Sequence, residues 1–177
     1  MSKLKLATVW LDGCSGCHMS FLDLDERILE IAEHVDIVYS PIVDAKIFPD
    51  DVDLALVEGA VASVDDEAKI KKIRAHTKFL IAMGDCAVTA NVPSMRNPIG
   101  PEAILNRAYI DNATCQQQIP TMLVPKLLRI VRPIHEFVKV DLYLPGCPPS
   151  ADTFYKTLKA LIAGETPDIS ALTRFGA

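Results

Sequence analysis

An apolar run near the start of the chain, Leu4 to Leu11, passes directly into a loop that carries two thiols. A continuous apolar run of this length predicts a strand that is buried on both faces of a sheet. Asp12 and Gly13 end the run, and Cys14 and Cys17 follow with two residues between them. A C-x-x-C pair at a strand end is typical of thiol redox exchange, zinc binding or iron–sulfur ligation. The pair alone does not separate these three kinds of site.

Apolar runs and amphipathic helical patterns alternate along the rest of the chain. Further strands are predicted over residues 35–39, 54–57, 79–83 and 138–144. Helices are predicted over residues 19–33, from residue 65, over 101–108, and from a cap at residue 150 to residue 164. Residues 90–100 and 111–135 are predicted to be irregular, with a helical turn or two around 126–130. This order predicts an α/β fold with an open, mainly parallel sheet, a flavodoxin-like three-layer sandwich.

Length and charge narrow the class of protein. With 177 residues, half of them hydrophobic, the chain is expected to form a single domain over residues 1–177. A net charge of -5 gives no general attraction to nucleic acid or to anionic membranes. The sequence shows neither a secretory signal nor an apolar run that could span a bilayer, so we expect a cytoplasmic protein. Disulfides are rare in that compartment, and the five cysteines are better explained as metal ligands or bystanders.

Four cysteines lie directly after predicted strands. Cys14 and Cys17 follow the first strand, Cys86 follows the fourth, and Cys147 follows the last. Glu58 ends the third strand in the same way. Because the carboxyl ends of parallel strands meet at one edge of a sheet, and ligands bind there, we expect the four thiols to lie close together.

The spacing of these thiols favours a cluster over a single ion. Gaps of 68 and 60 residues separate Cys17 from Cys86 and Cys86 from Cys147. Zinc ribbons instead pair two C-x-x-C knuckles, whereas each iron of a [4Fe–4S] cluster takes its own ligand. Glycine in each loop would let the backbone approach such a group closely. Zinc and unliganded thiols remain alternatives, and Cys115, in the irregular region, is predicted to be a spare thiol.

Four segments of the sequence together resemble the small subunit of nickel–iron hydrogenases. They are residues 9–17, 57–60 (Val-Glu-Gly-Ala), 84–87 (Gly-Asp-Cys-Ala) and 144–149 (Leu-Pro-Gly-Cys-Pro-Pro). The resemblance covers essentially the whole chain. It implies that one [4Fe–4S] cluster lies next to a nickel–iron centre carried by a separate large subunit. The implied cluster ligands are Cys14, Cys17, Cys86 and Cys147.

The resemblance also implies a branch within that family. The sequence shows neither a twin-arginine signal nor a C-terminal extension with further cysteines, as in the cytoplasmic, bidirectional, NAD(P)-linked members. In that branch the hydrogenase pair docks onto a diaphorase that holds FMN, iron–sulfur clusters and the NAD(P) site. This chain would then relay electrons from the hydrogen-splitting centre of the large subunit to the diaphorase.

Two alternatives to this assignment stay open. The related cluster-bearing subunit of NADH:quinone oxidoreductase shares the Pro-Gly-Cys-Pro-Pro segment, but it usually has two adjacent cysteines where Cys14 and Cys17 are separated. The second alternative is a zinc-stabilised scaffold without redox function. The sequence contains no clear phosphate loop that would support flavin binding by the sheet itself.

Overall fold

Strands and helices alternate along most of the chain, as the apolar pattern predicts. The structure is a computed structural model that describes residues 3–173; the ends of the predicted domain, residues 1–2 and 174–177, lie outside these. The strands are β1 (Leu4–Trp10), β2 (Val35–Tyr39), β3 (Val52–Glu58), β4 (Val61–Ser63), β5 (Thr77–Met83), β6 (Leu127–Arg132) and β7 (Leu142–Leu144). The α-helices are α1 (Gly16–Leu22), α2 (Arg27–Ala32), α3 (Val64–Ala75), α4 (Asp85–Thr89), α5 (Pro101–Asn106), α6 (Ala151–Ile162) and α7 (Ile169–Leu172).

A five-stranded parallel sheet in the order β2-β1-β3-β5-β7 forms the middle layer. The chain passes outward from β1 to β2, then returns to the other side of β1 at β3. This reversal opens a crevice beside the carboxyl ends of β1 and β3, where doubly wound sheets bind their ligands. The predicted fold class, an open parallel α/β sheet, is confirmed.

Each face of the sheet is covered by its own helices. Residues 7, 9, 57 and 80 face the side on which α3 packs with Ile70 and Ile73. Residues 6, 54, 56 and 81 face the opposite side, where α1, α2 and α6 contribute Phe21, Leu24, Ile31, Phe154 and Leu158. Since side chains of a strand alternate between its two faces, a continuous apolar strand such as β3 serves both cores. Among the described residues, no helix combines the length and the apolar character needed to cross a bilayer.

The prediction of a single helix over residues 19–33 is wrong. Helix α1 begins at Gly16 and ends at Leu22, and α2 starts only at Arg27. The residues between them form a turn in which Asp25 has a φ of 50°. Leu24 lies in this turn and is buried, at 1% exposed. The apolar period of the sequence therefore continues although the helix is interrupted. Helical spacing of apolar residues therefore reports the packing of this segment rather than its unbroken helicity.

Two other predictions are also wrong. Residues 126–130 are not helical: β6 pairs antiparallel with β4 in a second, two-stranded sheet. Tertiary pairing decides this short segment, because a brief apolar run such as Leu-Leu-Arg-Ile-Val fits a helical turn or a strand equally well. The last strand of the main sheet covers only Leu142–Leu144, not residues 138–144. It starts late because the Asp141 carboxylate accepts a hydrogen bond from the Leu80 amide at 2.9 Å, ahead of the regular ladder.

Candidate metal centre

The four thiols predicted to meet at one edge of the sheet line a single small cavity. It lies beyond the carboxyl ends of β1, β3, β5 and β7. Its walls are formed by Cys14, Gly16, Cys17, Glu58, Asp85, Cys86, Gly146, Cys147 and Pro148. Three separate loops therefore bring their cysteines together, as the strand-end argument predicts.

The thiols form two pairs that differ in exposure. Cys17 and Cys86 are buried, and each lies in the first turn of a short helix, α1 or α4, that follows its strand at once. Cys14 and Cys147 are exposed and lie in the loops themselves. We call these the inner pair and the outer pair. A group held by all four would have one edge in the protein and one edge at its surface.

Glu58, at the end of β3, fixes the loop that carries Cys17. Its side chain is almost fully buried, with 1% of the residue exposed. The carboxylate accepts hydrogen bonds from the backbone amides of Cys17 at 3.4 Å and His18 at 3.0 Å, and from Nδ1 of His18 at 2.5 Å. These bonds satisfy the free amides at the start of α1. The other ring nitrogen of His18, Nε2, is buried without a hydrogen-bond partner among residues 3–173.

Gly84 lets the end of β5 approach Cys17 closely. Its φ is 81°, in the left-handed region that favours glycine, and a Cβ atom there would collide with the Cys17 sulfur. Any larger residue at position 84 would displace the Cys17 sulfur. The cavity therefore depends on this glycine for its shape.

Asp85 joins the loop of Cys86 to the loop of Cys147. Its carboxylate accepts a hydrogen bond from the Gly146 amide at 2.8 Å, and its own amide donates to the Gly146 carbonyl at 2.8 Å. The Gly84 amide donates to the Leu144 carbonyl at 2.8 Å just before it. The pairing of β5 with β7 thus continues into the cysteine loops and holds them in register.

The environment of the inner pair opposes ionisation of the free thiols. Burial, followed by the Cys147 and Cys14 charges, raises the pKa of Cys86 to about 11. Burial, followed by the Glu58 carboxylate and the other thiols, raises the pKa of Cys17 as well. Thiolates at these positions need nearby positive charge, which a bound metal group supplies. The set of four sulfur donors without a basic side chain in the cavity wall fits such a group.

No group of three histidine, cysteine, aspartate or glutamate side chains within residues 3–173 has the geometry of a site for a metal ion. The four thiols nevertheless all line one cavity.

The fifth cysteine is placed elsewhere. Cys115 is exposed and is not part of the cavity wall, so its assignment as a spare thiol stays a prediction. Two features of the site are not predicted by the sequence pattern. Glu58 is predicted only as a strand-end residue, and Asn91, whose side-chain amide lies 3.6 Å from the Cys147 sulfur, has no predicted role. Neither partnership has a local sequence signal, because the residues involved are tens of positions apart.

A family model described as NADH ubiquinone oxidoreductase, 20 Kd subunit, matches residues 14–161 of the chain. The match begins at Cys14 and includes all four thiols of the cavity. The chain belongs to this family. Its members provide the relatives against which the site can be compared.

Curated relatives of this family member carry hydrogenase names. The chain is 39% identical over 168 residues to a subunit of the F420-non-reducing hydrogenase vhu of Methanocaldococcus jannaschii, a match that covers 94% of this chain and 58% of that one. It is 37% identical over 179 residues to the delta subunit of the NAD-reducing hydrogenase HoxS of Cupriavidus necator, a match that covers 98% of this chain and 86% of that one. The chain thus spans little more than half of the first relative and most of the second.

A solved structure matches nearly the whole chain. It is titled as an NAD+-reducing [NiFe]-hydrogenase in the H2-reduced state, and the two chains superpose with a TM-score of 0.94 at 36% identity. The match covers 98% of this chain and 99% of the other. The resemblance to nickel–iron hydrogenase small subunits, drawn from four short segments of sequence, is confirmed.

Proposed function

We propose that this chain is the electron-transfer small subunit of an NAD(P)-reducing nickel–iron hydrogenase. The observation that carries the proposal is the convergence of Cys14, Cys17, Cys86 and Cys147 on one cavity at the sheet edge. Similarity to the NAD-reducing hydrogenase subunit over 98% of the chain supports the same conclusion. The separated cysteines of the first loop favour the hydrogenase branch over the quinone-reducing one.

The four cysteines would hold one [4Fe–4S] cluster. When bound, such a cluster supplies one-electron transfer. The inner pair, Cys17 and Cys86, anchors one edge of the site inside the domain, while the outer pair, Cys14 and Cys147, presents the other edge at the surface. Glu58 and Asp85 fix the loops, so that the ligands hold their positions when the charge at the site changes.

Two protein partners follow from this role. A large subunit would hold the nickel–iron centre that splits hydrogen, and a diaphorase with FMN and further clusters would pass the electrons to NAD(P). Exposed apolar residues next to the thiol loops, Met19, Val92 and Met95, suit a face that another subunit covers. Four ligands leave only Cys115 among the five cysteines, too few for a second cluster of four thiolates. We place the complex in the cytoplasm.

Metal and sulfide analysis of the purified native complex tests the proposal. A brown complex is expected, with about four iron and four sulfide per copy of this chain beyond those of its partners. Its clusters should give an electron paramagnetic resonance signal on reduction by hydrogen. A colourless chain that contains zinc would refute the redox role and favour the scaffold. Hydrogen-driven NAD(P) reduction by the two hydrogenase subunits alone would refute the relay to a diaphorase.

A further inference from the structure

The side-chain amide of Asn91 lies against one of the four thiols. Its Nδ2 atom is 3.6 Å from the Sγ atom of Cys147, within hydrogen-bonding distance for sulfur. Asn91 is half-buried and Cys147 is exposed, so the contact lies at the outer edge of the cavity. A residue that is not one of the four ligands therefore touches one of them.

The backbone holds Asn91 in this place from both sides. Before it, Ala90 ends helix α4 with a φ of 63°, and its amide donates to the Cys86 carbonyl at 3.1 Å. After it, the Asn91 carbonyl accepts hydrogen bonds from the amide of Ser94 at 3.2 Å and from its hydroxyl at 2.8 Å. The segment that carries Cys86 therefore also carries the donor for Cys147.

A hydrogen bond at this position acts differently on the two oxidation states of a cluster. Nδ2 is the only donor of the Asn91 side chain, so a thiolate at Cys147 selects the orientation seen here. Hydrogen bonds to charged acceptors are about twice as strong as those between neutral groups. Reduction adds negative charge to the cluster and its sulfurs. A donor at a ligand sulfur thus stabilises the reduced form more and raises the reduction potential.

We propose that Asn91 is a positioning residue that donates a hydrogen bond to the Cys147 thiolate and raises the reduction potential of the bound cluster. The inference rests on the proposed function, since it requires a cluster held by Cys147. It assigns to Asn91 a role in setting the electron affinity of the outer edge, where electrons enter or leave the domain.

A redox titration of the purified native complex, followed by electron paramagnetic resonance, tests this role. In Asn91→Ala the ratio of reduced to oxidised cluster at a fixed potential should fall about tenfold, which corresponds to a midpoint about 59 mV more negative for one electron. Asn91→Asp should shift the midpoint further, because a carboxylate cannot donate and adds negative charge. Asn91→Gln keeps the donor and should recover part of the shift. The matched control is Asn112→Ala, at an exposed asparagine, which should titrate like the wild type.

Iron and sulfide content, measured on the same samples, separates the outcomes. A midpoint shifted to more negative potential at normal iron content supports the proposal, whereas a shift to more positive potential would overturn it. Loss of iron in Asn91→Ala would assign Asn91 to cluster retention and would also overturn it. Unchanged midpoints in Asn91→Ala and Asn91→Asp, at normal iron content, would overturn it and leave the proposed function intact. Misfolding of both Asn91→Ala and Asn91→Gln, seen by circular dichroism, would assign Asn91 to the fold and also overturn it. A wild-type complex without this cluster would overturn both proposals.

Discussion

The two ends of the central sheet are held together in different ways. At the amino end, ion pairs tie neighbouring elements together. Lys78 of β5 pairs with Asp53 of β3 at 2.7 Å, and Arg74 of helix α3 pairs with Asp141, the residue before β7, at 2.5 Å. At the carboxyl end, the buried Glu58 and the half-buried Asp85 accept hydrogen bonds from backbone amides, and the remaining polar groups are mostly thiols. The same parallel strands thus end in charged pairs on one side and in a sulfur-lined cavity on the other.

The two ends of the sheet should therefore respond differently to substitution. Partly exposed ion pairs contribute modestly to stability, and each can change without moving the opposite edge. The carboxyl end depends on a few buried groups, so a change there should alter both the fold and the site. Four substitutions, at Cys147, Glu58, Arg74 and Asp53, test this contrast.

Loss of one of the four proposed cluster ligands should have the largest effect. In Cys147→Ser we expect iron bound by this chain to fall from about four to below one per copy, because a serine hydroxyl is a poor substitute for a thiolate. The hydrogen-dependent NAD(P) reduction proposed for the complex should be lost with it. Metal analysis and visible absorption of the purified complex measure the change.

Cys115→Ser is the matched control, since it removes an exposed thiol that lies outside the cavity wall. It should keep the full iron content and the wild-type spectrum. Loss of iron from a folded Cys115→Ser variant would show that the four ligands have been assigned wrongly.

Removal of the Glu58 carboxylate should destabilise the chain strongly. In Glu58→Leu the amides of Cys17 and His18 and the His18 ring lose their acceptor. Each buried donor left unpaired costs about 1–3 kcal/mol, so a loss of about 3 kcal/mol or more in the free energy of unfolding is expected. Urea unfolding of the variant measures it, and iron content should fall as α1 loosens.

Glu67→Gln is the control for this carboxylate, because Glu67 forms an ion pair with Lys71 on the surface of α3. Such pairs contribute about 0–1 kcal/mol. Equal destabilisation by the two variants would contradict the distinction between the buried carboxyl end and the charged surface.

At the amino end, Arg74→Met should cost stability without touching the site. The guanidinium donates to Asp141 and to the carbonyls of Thr77 and Lys78, and these groups lose a partner in the variant. We expect a loss of about 1–2 kcal/mol in the free energy of unfolding, with an unchanged visible spectrum. Lys72→Met, at an exposed position of the same helix, serves as the control. A spectrum altered in Arg74→Met would mean that the two ends are coupled.

The smallest effect is expected at Asp53, as a change in acid sensitivity. The hydrogen bond from the Lys5 amide, and then Lys78, lower the pKa of Asp53 below its ordinary value. A carboxyl group with a lowered pKa stabilises the fold above its unfolded pKa of about 3.9, and this stabilisation is lost as the pH falls through its folded pKa. Asp53→Asn should therefore be slightly less stable than the wild type at pH 7, and the two should converge below about pH 4.

Thermal unfolding at a series of pH values measures this convergence. The exposed Asp44→Asn variant should follow the wild-type curve throughout. If the difference in stability between Asp53→Asn and the wild type stays constant across the acid range, this carboxyl group does not contribute to the pH dependence of stability.

The segments of the main sheet, and the places of the thiols relative to them, could be predicted from the amino-acid pattern. Strands such as β3 and β5 are continuous apolar runs, and the glycine and cysteine that follow β5 are close to it in sequence. Because parallel strands align their carboxyl ends, the meeting of Cys14, Cys17, Cys86 and Cys147 followed from local pattern and a general rule of topology. The family resemblance rested on the same strand-end segments.

Contacts between segments that are distant in sequence could not be predicted and became visible only in the folded chain. The turn at Asp25 divides a helix whose apolar period continues, and β6 became a strand because β4 lies beside it. Glu58 meets the amide of His18, and Asn91 meets the sulfur of Cys147, across 40 and 56 positions of sequence. Side-chain hydrogen bonds of this kind depend on distances of a few ångströms between separate loops, which periodicity and spacing along one chain do not encode.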